Sequence, residues 1–565
     1  MTYDILIKNG MIVDGSGANA FEGNVAISGD RIAAVGDVDG DAKQTFDAEG
    51  RLVTPGFVDI HTHLDAQITW DPIGSSSCWH GVSSVVMGNC GVTFAPCKPD
   101  DRSYLARLME SVEDVPAKSI ESGMPWTWET YGEYLQALDA LPKGLNVGGL
   151  VGHCAVRLYA MGEEALENKP ASDSQIEAMH DIVAEAIAGG ALGFSTSRTP
   201  LHLTPDGEKV PGTYATPDEL KGICAALKEQ NRGLVEAASG GLIGENEEEM
   251  RENLRREMVW MNEISRDTGR TVLFNLAQNR QVPNGYRYAL DALAESVDAG
   301  ANLKAQSTTR GIGVLFGFQN RTPFDRAPAW RALRGLPMAE KLAKLRDPDH
   351  RSEMVRQSLE NMPPLNWEDL FVLAPDNPRY DHAAADSLAA HAARLQTSPP
   401  DAFIEVSLAD EGLTLFNFPF LNQEMDAVER MLEDPNVVLG LGDSGAHCGM
   451  IMDASLPTNF LTYWVRERGK FPLEKAIHML TGEPAALYDI RNRGTLTPGM
   501  QADVNIIDFD GLRLYGPKFV HDFPAGAGRY IQKADGYSHM FVNGQHFMQD
   551  GEHTGALAGG VLRSE

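Results

Sequence analysis

The sequence is poor in cysteine, and its cysteines are not grouped. Six are present among 565 residues, at positions 78, 90, 97, 154, 224 and 448, without the closely spaced pairs of a zinc ribbon. Their number is too small for a scaffold held by disulfides, so we expect reduced thiols and a cytoplasmic location. The first residues lack a basic region followed by an apolar stretch, and no apolar run approaches membrane-spanning length. We therefore expect neither secretion nor a membrane anchor.

Positive charge is scarce as well. Lys and Arg total 48 against 79 Asp and Glu, which gives a net charge of -31. This excess of negative charge disfavours nucleic acids and anionic membranes as partners, so we expect a small-molecule substrate and leave a homo-oligomer open. Hydrophobic residues make up 43% of the chain, which is enough for a large core and an accessory domain.

The start of the chain has the alternating pattern of β-strands. Residues 3–14 alternate around Asn9-Gly10, a dipeptide that supplies the positive φ angles of a tight hairpin turn. Residues 24–35 alternate in the same way around Gly29-Asp30. We predict one hairpin in each segment.

The end of the chain returns to β character. Residues 503–508 alternate, and Asn543-Gly544 repeats the hairpin signal. Because either end alone would make only a marginal sheet, we predict one small β-sandwich built jointly from residues 1–54 and 491–565.

Between these ends, short apolar runs alternate with long amphipathic segments such as residues 174–188, 218–230 and 245–267. This rhythm is typical of βαβ units with a parallel sheet. The predicted strands are residues 57–60, 84–87, 145–151, 191–195, 233–237, 271–275, 302–306 and 437–442. Eight strands are the number that a closed (β/α)8 barrel needs, so we predict a TIM-like α/β barrel over residues 55–490.

The stretch between the seventh and eighth predicted strands is far longer than an ordinary crossover. Residues 307–436 hold proline, arginine and aromatic residues together with helical patterns. Long segments of this kind at a barrel are usually functional. We predict an insertion that forms a lid or subdomain over the barrel mouth.

Two histidines stand where the first predicted barrel strand ends. His61 and His63 are separated by one residue, and the period of two in extended backbone puts both imidazoles on the same face. A single histidine after a strand is usually structural, whereas a pair on one face can chelate a cation. The pattern therefore favours a metal site.

Asp443 and Cys90 are the other predicted ligands. Asp443 ends the eighth predicted strand, which barrel closure places beside the first, although an aspartate before Ser444 could equally cap a helix. Cys90 follows the second strand between glycines that allow close backbone approach. Buried cysteine is more often a small hydrophobe. With two imidazoles and a carboxylate, its thiolate would complete a four-ligand site.

These residues lie in segments that resemble the amidohydrolase superfamily, and within it the N-acyl-D-amino acid deacylase group. The matching segments are residues 4–10 (DILIKNG), 55–63 (PGFVDIHTH) with Asp65, 88–91 (GNCG), 151–153 (VGH), 442–447 (GDSGAH) and 499–503 (GMQAD). The resemblance implies a TIM-like barrel in which a metal-activated water attacks an amide carbonyl. It also implies that Asp443 is both metal ligand and general base.

The sequence departs from the deacylase group at two strand ends. Deacylases of that group place a histidine after the fifth strand and another after the sixth, but residues 235–238 and 274–278 contain none. Either Glu236 with Asn275 or Gln278 supplies oxygen ligands, or the site holds a single ion. We favour one divalent cation, and of the divalent metals we expect zinc.

Six further polar residues follow predicted strand ends and are expected near the mouth. They are Arg157, Arg198, Arg310, His153, His202 and His447. For each of them a structural role is the more common one, and we predict that one of the three arginines binds a substrate carboxylate. His447, four residues past Asp443, is the best placed of the histidines to support a metal ligand.

The sequence thus predicts a metal-dependent hydrolase of the amide bond in a small molecule, with an N-acyl amino acid as the leading substrate. The same site would also suit a cyclic amide, a carbamate or an ester, because only the shape of the pocket distinguishes these substrates. A non-catalytic binding homologue is the third hypothesis, motivated by the missing histidines.

Overall fold

The computed structural model describes residues 2–564, and its centre is a parallel sheet of eight strands. Each lies where a strand was predicted, and spatial order follows sequence order. The barrel strands 1 to 8 are Phe57–Asp59, Val82–Met87, Asn146–Gly152, Gly193–Ser197, Leu234–Ala238, Val272–Asn275, Leu303–Ser307 and Val437–Leu439. The predicted TIM-like barrel is confirmed.

The barrel closes just past the ends of strands 1 and 8. Thr62 and Ser444 form a parallel bridge there. The His63 amide donates to the Ser444 carbonyl at 2.7 Å, and the Asp443 amide donates to the His61 carbonyl at 3.0 Å. The two segments that carry the predicted ligands are therefore joined directly by backbone hydrogen bonds.

Branched apolar side chains fill the barrel interior, among them Val58, Val86 and Leu150. The C-terminal tail covers the opposite end from the predicted site: the Leu562 amide donates to the carbonyl of Val147, near the start of strand 3, at 2.8 Å. Leu562 itself packs with the interior residues. This end of the barrel is therefore covered by the tail, and the predicted site lies at the other end.

Helices surround the barrel, and those predicted from the amphipathic segments are confirmed to within two residues. Thr216 begins one of them by accepting from the Glu219 amide, and Asn246 begins another by accepting from the Glu249 amide. Besides the helices of the insertion core, which are given below, the helices are Arg102–Glu113, Ala117–Gly123, Tyr131–Ala140, His153–Met161, Glu163–Leu166, Asp173–Ala188, Pro217–Gln230, Glu247–Thr268, Gly285–Asp298, Met425–Glu433 at the end of the insertion, Leu456–Asn459, the π-helix Phe460–Glu467, Leu473–Leu480 and Gly482–Leu487. Within residues 2–564, none has both the length and the apolar character of a membrane span.

The long insertion between strands 7 and 8 has its own core. Its elements are the strands Ile312–Phe316, Phe371–Leu373 and Leu415–Leu421, which form one antiparallel sheet, and the helices Pro328–Arg331, Met338–Arg346, Pro348–Glu360, Leu388–Leu395 and Pro399–Ala409. Stacked aromatic rings, including Phe318 on Trp330, form its centre. Asn320 donates to the Gly449 carbonyl at 2.6 Å, so the insertion is attached to the loop that follows Asp443.

Both ends of the chain contribute to one sheet of nine strands. These are Tyr3–Ile12, Phe21–Ser28, Arg31–Gly36, Ala42–Asp47, Leu52–Pro55, Val504–Ile507, Tyr537–Val542, Gln545–Gln549 and Glu552–His553. Between Val504–Ile507 and Tyr537–Val542, the chain forms two small two-stranded sheets. Their strands are Arg513–Leu514 with Ala534–Asp535, and Lys518–Val520 with Arg529–Ile531. The hairpins around Gly29-Asp30 and Asn543-Gly544 are confirmed.

The hairpin predicted for residues 3–14 is wrong. Tyr3–Ile12 is one continuous strand, whose pairing with the next strand shifts register between Ile7 and Gly10. Asn9 has a φ of 55° at this point. The positive φ that favours a hairpin turn is used here in a bulge, which lets the strand continue in the same direction.

Candidate active site

His61 and His63 are buried at the barrel mouth and point their Nε2 atoms at the same carboxylate. Asp443 Oδ1 lies 3.2 Å from His61 Nε2 and 3.8 Å from His63 Nε2. Burial alone would raise the pKa of Asp443, but the hydrogen bond and charge of His61 lower it below its ordinary value. The carboxylate is therefore ionised at neutral pH, as both a metal ligand and a proton acceptor must be.

Cys90 completes the group. Its Sγ lies 3.5 Å from His61 Nε2, and ligand atoms of His61, His63 and Cys90 all lie within 4.8 Å of one another. Gly91 has a φ of 74°, and a Cβ there would come 2.9 Å from the Ser197 amide nitrogen. Glycine therefore allows the Cys90 loop to lie directly against barrel strand 4.

The donor set fits a zinc ion. Two imidazoles, a thiolate and a carboxylate are ligands that Zn²⁺ takes in tetrahedral sites. The Nδ1 atoms of His61 and His63 are buried, and neither has a hydrogen-bond partner among residues 2–564. A cation bound at the Nε2 atoms, which face Asp443, would leave these Nδ1 atoms to protein partners.

Glu236 lies on barrel strand 5, the strand after which the deacylase group carries a histidine that this sequence lacks. Its Oε2 accepts from the Cys90 amide at 2.8 Å, and its Oε1 lies 3.9 Å from His61 Nδ1. Gln306 Nε2 donates to Asn275 Oδ1 at 2.8 Å and lies 3.3 Å from Glu236 Oε1. Glu236 and Asn275 thus have protein partners. Gln278 is engaged elsewhere, because its side-chain oxygen accepts from the Glu424 amide at 3.3 Å.

Glu113 is a site residue that the sequence analysis did not predict. It ends the helix Arg102–Glu113, and its side chain is 2% exposed between His63 and His447. Without a cation in the site, burial and the neighbouring charge of Asp443 raise its pKa to about 8, and a bound cation would favour the ionised carboxylate. A signal was available: Glu113 continues the apolar stripe of Leu105 and Met109 at steps of four residues, so it falls on the buried face of that helix.

His447 and His202 also lie at the mouth. His447 Nε2 is 3.6 Å from Glu113 Oε2. His202 Nδ1 is 2.9 Å from Ser197 Oγ, and burial lowers the pKa of His202 to about 4. The structure thus places His447 beside the predicted ligands through Glu113, and His202 at the end of barrel strand 4.

His153 and Arg157 lie in a different environment, on the helix-facing side of the barrel. His153 contacts Thr196 Oγ1 at 2.9 Å and Glu219 Oε1 at 3.0 Å, and Arg157 Nη1 donates to both Glu219 oxygens at 2.9 and 3.1 Å. All three side chains are buried. The contacts indicate a structural ion cluster between two helices and strand 4.

We expect Glu219→Ala to destabilise the fold by about 3–5 kcal/mol, because it leaves a buried guanidinium without its carboxylate. Asp218→Asn, at the exposed neighbouring position, should change the free energy of unfolding by less than about 0.5 kcal/mol. Urea titration of both variants measures the difference. An equal midpoint for the two variants would show that Glu219 does not hold the cluster together.

The other two predicted arginines are paired with carboxylates. Arg198 lies 3.1 Å from Glu257. Arg310 lies 3.1 Å from Asp453 and stacks over the Tyr380 ring, with its guanidinium carbon 3.5 Å from the ring centre. Asp453 and Asp443 line the same small cavity. Among the three arginines, Arg310 is therefore the one linked to the site, and the link runs through Asp453.

Comparison with known proteins agrees with the resemblance seen in the sequence. A family model described as "Amidohydrolase family" matches residues 44–522. D-aminoacylase of Alcaligenes xylosoxydans xylosoxydans is 26% identical over 585 residues, covering 99% of this chain and 97% of that protein. N-acyl-D-aspartate deacylase of the same organism is 26% identical over 567 residues, covering 98% of this chain and 93% of that protein.

Solved structures share the fold. N-acyl-D-glutamate deacylase of Bordetella bronchiseptica, solved with zinc and a phosphonate inhibitor, superposes with a TM-score of 0.67 at 23% identity over 100% of both chains. A D-aminoacylase structure superposes with a TM-score of 0.67 at 22% identity, covering 99% of this chain and 100% of that one. That structure is described as having a binuclear metal centre with one-metal activation and second-metal attenuation. From the match over residues 44–522, this chain belongs to the amidohydrolase family.

Proposed function

We propose that this protein hydrolyses the amide bond of an N-acyl amino acid with one divalent cation, which His61, His63, Cys90 and Asp443 bind. The observation that carries the proposal is that His61, His63 and Cys90 lie together at one end of the barrel and that Asp443 contacts both histidines there. Metal-dependent amide hydrolysis is the chemistry of the family, and zinc is the metal that the donor set favours.

A bound cation would supply Lewis acidity, which polarises an amide carbonyl and lowers the pKa of water toward about 7. The residues of this chain do the rest. Asp443, ionised and 15% exposed at the mouth, accepts a proton from the attacking water at a carboxylate oxygen and donates it to the nitrogen of the departing amine. The Nε2 atoms of His61 and His63 face this carboxylate and keep it in position for the proton transfer.

A single cation is favoured by what occupies the neighbouring strand ends. Glu236 is engaged by the Cys90 amide, and Asn275 by Gln306. A second cation in this place would have to displace these hydrogen bonds. We therefore infer that the hydrogen-bonded side chains of Glu236, Asn275 and Gln306, on strands 5 to 7, take the place of a second metal. Glu236 in turn supports His61 on its Nδ1 side.

The substrate class rests on the relatives and on one arginine. Three relatives are named D-aminoacylase, N-acyl-D-aspartate deacylase and N-acyl-D-glutamate deacylase. We infer that an N-acyl-D-amino acid enters the mouth and that its carboxylate competes with Asp453 for the buried guanidinium of Arg310. A homo-oligomer and a cytoplasmic location remain predictions of the sequence.

The test combines a metal count with a substrate screen. We expect about one zinc per chain, loss of activity on chelation, and recovery when zinc is restored. The screen should pair N-acyl-D-amino acids with their L-enantiomers and should include cyclic amides, carbamates and esters. Turnover of esters or cyclic amides alone would replace the deacylase proposal, and a chain that neither retains metal nor turns over any substrate would be a binding homologue.

A further inference from the structure

We propose that Glu113 is a positioning residue, whose carboxylate holds the ring of His63 on one side and the ring of His447 on the other. The inference rests on the proposed metal site, because His63 is one of its ligands. It assigns a role to a residue outside the family motifs of this sequence.

The contacts of Glu113 carry the inference. Glu113 Oε1 lies 3.5 Å from His63 Nδ1, and Oε2 lies 3.6 Å from His447 Nε2. Glu113 Oε1 and His63 Nδ1 are both buried, and neither has a hydrogen-bond partner among residues 2–564. An unpaired buried donor and an unpaired buried acceptor at this separation are each other's natural partners, since leaving both unsatisfied is costly.

The backbone around Glu113 fixes the same arrangement. The Glu113 carbonyl accepts from the His447 amide. The next residue, Asp114, accepts from the Gly449 amide at 3.0 Å and pairs with Arg321 of the insertion at 3.3 Å. The end of this helix is therefore fastened to the loop after Asp443 by side-chain and backbone contacts.

Orientation of a metal-binding imidazole depends on what its second nitrogen contacts. A carboxylate at Nδ1 fixes the tautomer that leaves Nε2 free to bind metal, and it limits rotation of the ring. Glu113 does this for His63, while Glu236 lies on the corresponding side of His61 at 3.9 Å. Because Glu113 also contacts His447, the orientation of His63 and the position of the loop that carries Asp443 are linked.

The experiment compares Glu113→Gln with Glu110→Gln. Glu110 lies one turn earlier on the same helix and is exposed. Both variants replace a carboxylate with an amide, but only Glu113→Gln does so beside His63 and His447. We expect zinc affinity, measured by competition with a chromophoric chelator, to fall about 10- to 100-fold in Glu113→Gln and to stay unchanged in Glu110→Gln. We also expect the d–d absorption bands of the Co²⁺-substituted protein to shift only in Glu113→Gln, because His63 has turned.

Hydrogen exchange gives an independent readout. Amides of residues 443–449 should exchange faster in Glu113→Gln than in Glu110→Gln, since one anchor of the loop has been weakened. If Glu113→Gln does not fold, Glu113→Asp is tested instead. The aspartate keeps the carboxylate but moves it away from both rings by one methylene, so zinc binding should weaken. Native zinc affinity and a native Co²⁺ spectrum in the folded variant overturn the proposal. Failure of the wild-type chain to bind zinc would instead overturn the metal site itself.

Discussion

Replacing Asp443 with asparagine should lower kcat by about 100- to 10,000-fold, the range expected when a general base is removed. The asparagine keeps the size of the side chain and an oxygen for the metal, but it cannot accept the proton of the attacking water. Zinc content should fall less than kcat does, because His61, His63 and Cys90 remain. Steady-state kinetics with zinc in excess, together with a metal count, measures both quantities.

Glu433→Gln is a suitable control for that experiment. Glu433 is exposed at the end of the helix that precedes barrel strand 8, so the change neutralises a carboxylate close in sequence but outside the mouth. Its kcat should match that of the wild type. If Asp443→Asn also retained the wild-type kcat under saturating zinc, the proton-transfer role would belong to another group.

The double variant His61→Ala/His63→Ala should lose both metal and activity. Removing two of four ligands leaves no chelate, and loss of the cation removes several kcal/mol of transition-state stabilisation, which corresponds to a fall in kcat of more than about 1,000-fold. The matched control is His180→Ala/His553→Ala, which removes two histidines that lie outside the mouth. Zinc bound per chain and turnover are the two readouts. Unchanged values for both in His61→Ala/His63→Ala would refute the metal role.

The barrel was predictable because its strands are buried on both faces. Each therefore appears in the sequence as a short apolar run between amphipathic helices, and all eight were found. The first and last strands of such a barrel must be neighbours, which is why His61, His63 and Asp443 could be placed together before the structure was known. Closure of the barrel converts a long separation in sequence into direct backbone contact.

Other features could not be read from local patterns. The sequence does not show toward which side of the barrel a residue after a strand end turns, and His153 and Arg157 turn toward the helices and Glu219. Asn9-Gly10 supplies a positive φ that serves a bulge as well as a turn. Glu113 comes from a helix between strands 2 and 3, and its contact with His63 depends on tertiary packing.

The proposed hydrolysis requires one cation bound by four side chains, and anomalous diffraction at the zinc edge tests this most directly. We predict a single peak at the barrel mouth, with His61 and His63 nitrogens and an Asp443 oxygen at about 2.0–2.2 Å and the Cys90 sulfur at about 2.3 Å. A peak bound by other residues, two peaks of equal height, or no peak in a crystal grown with zinc would contradict it.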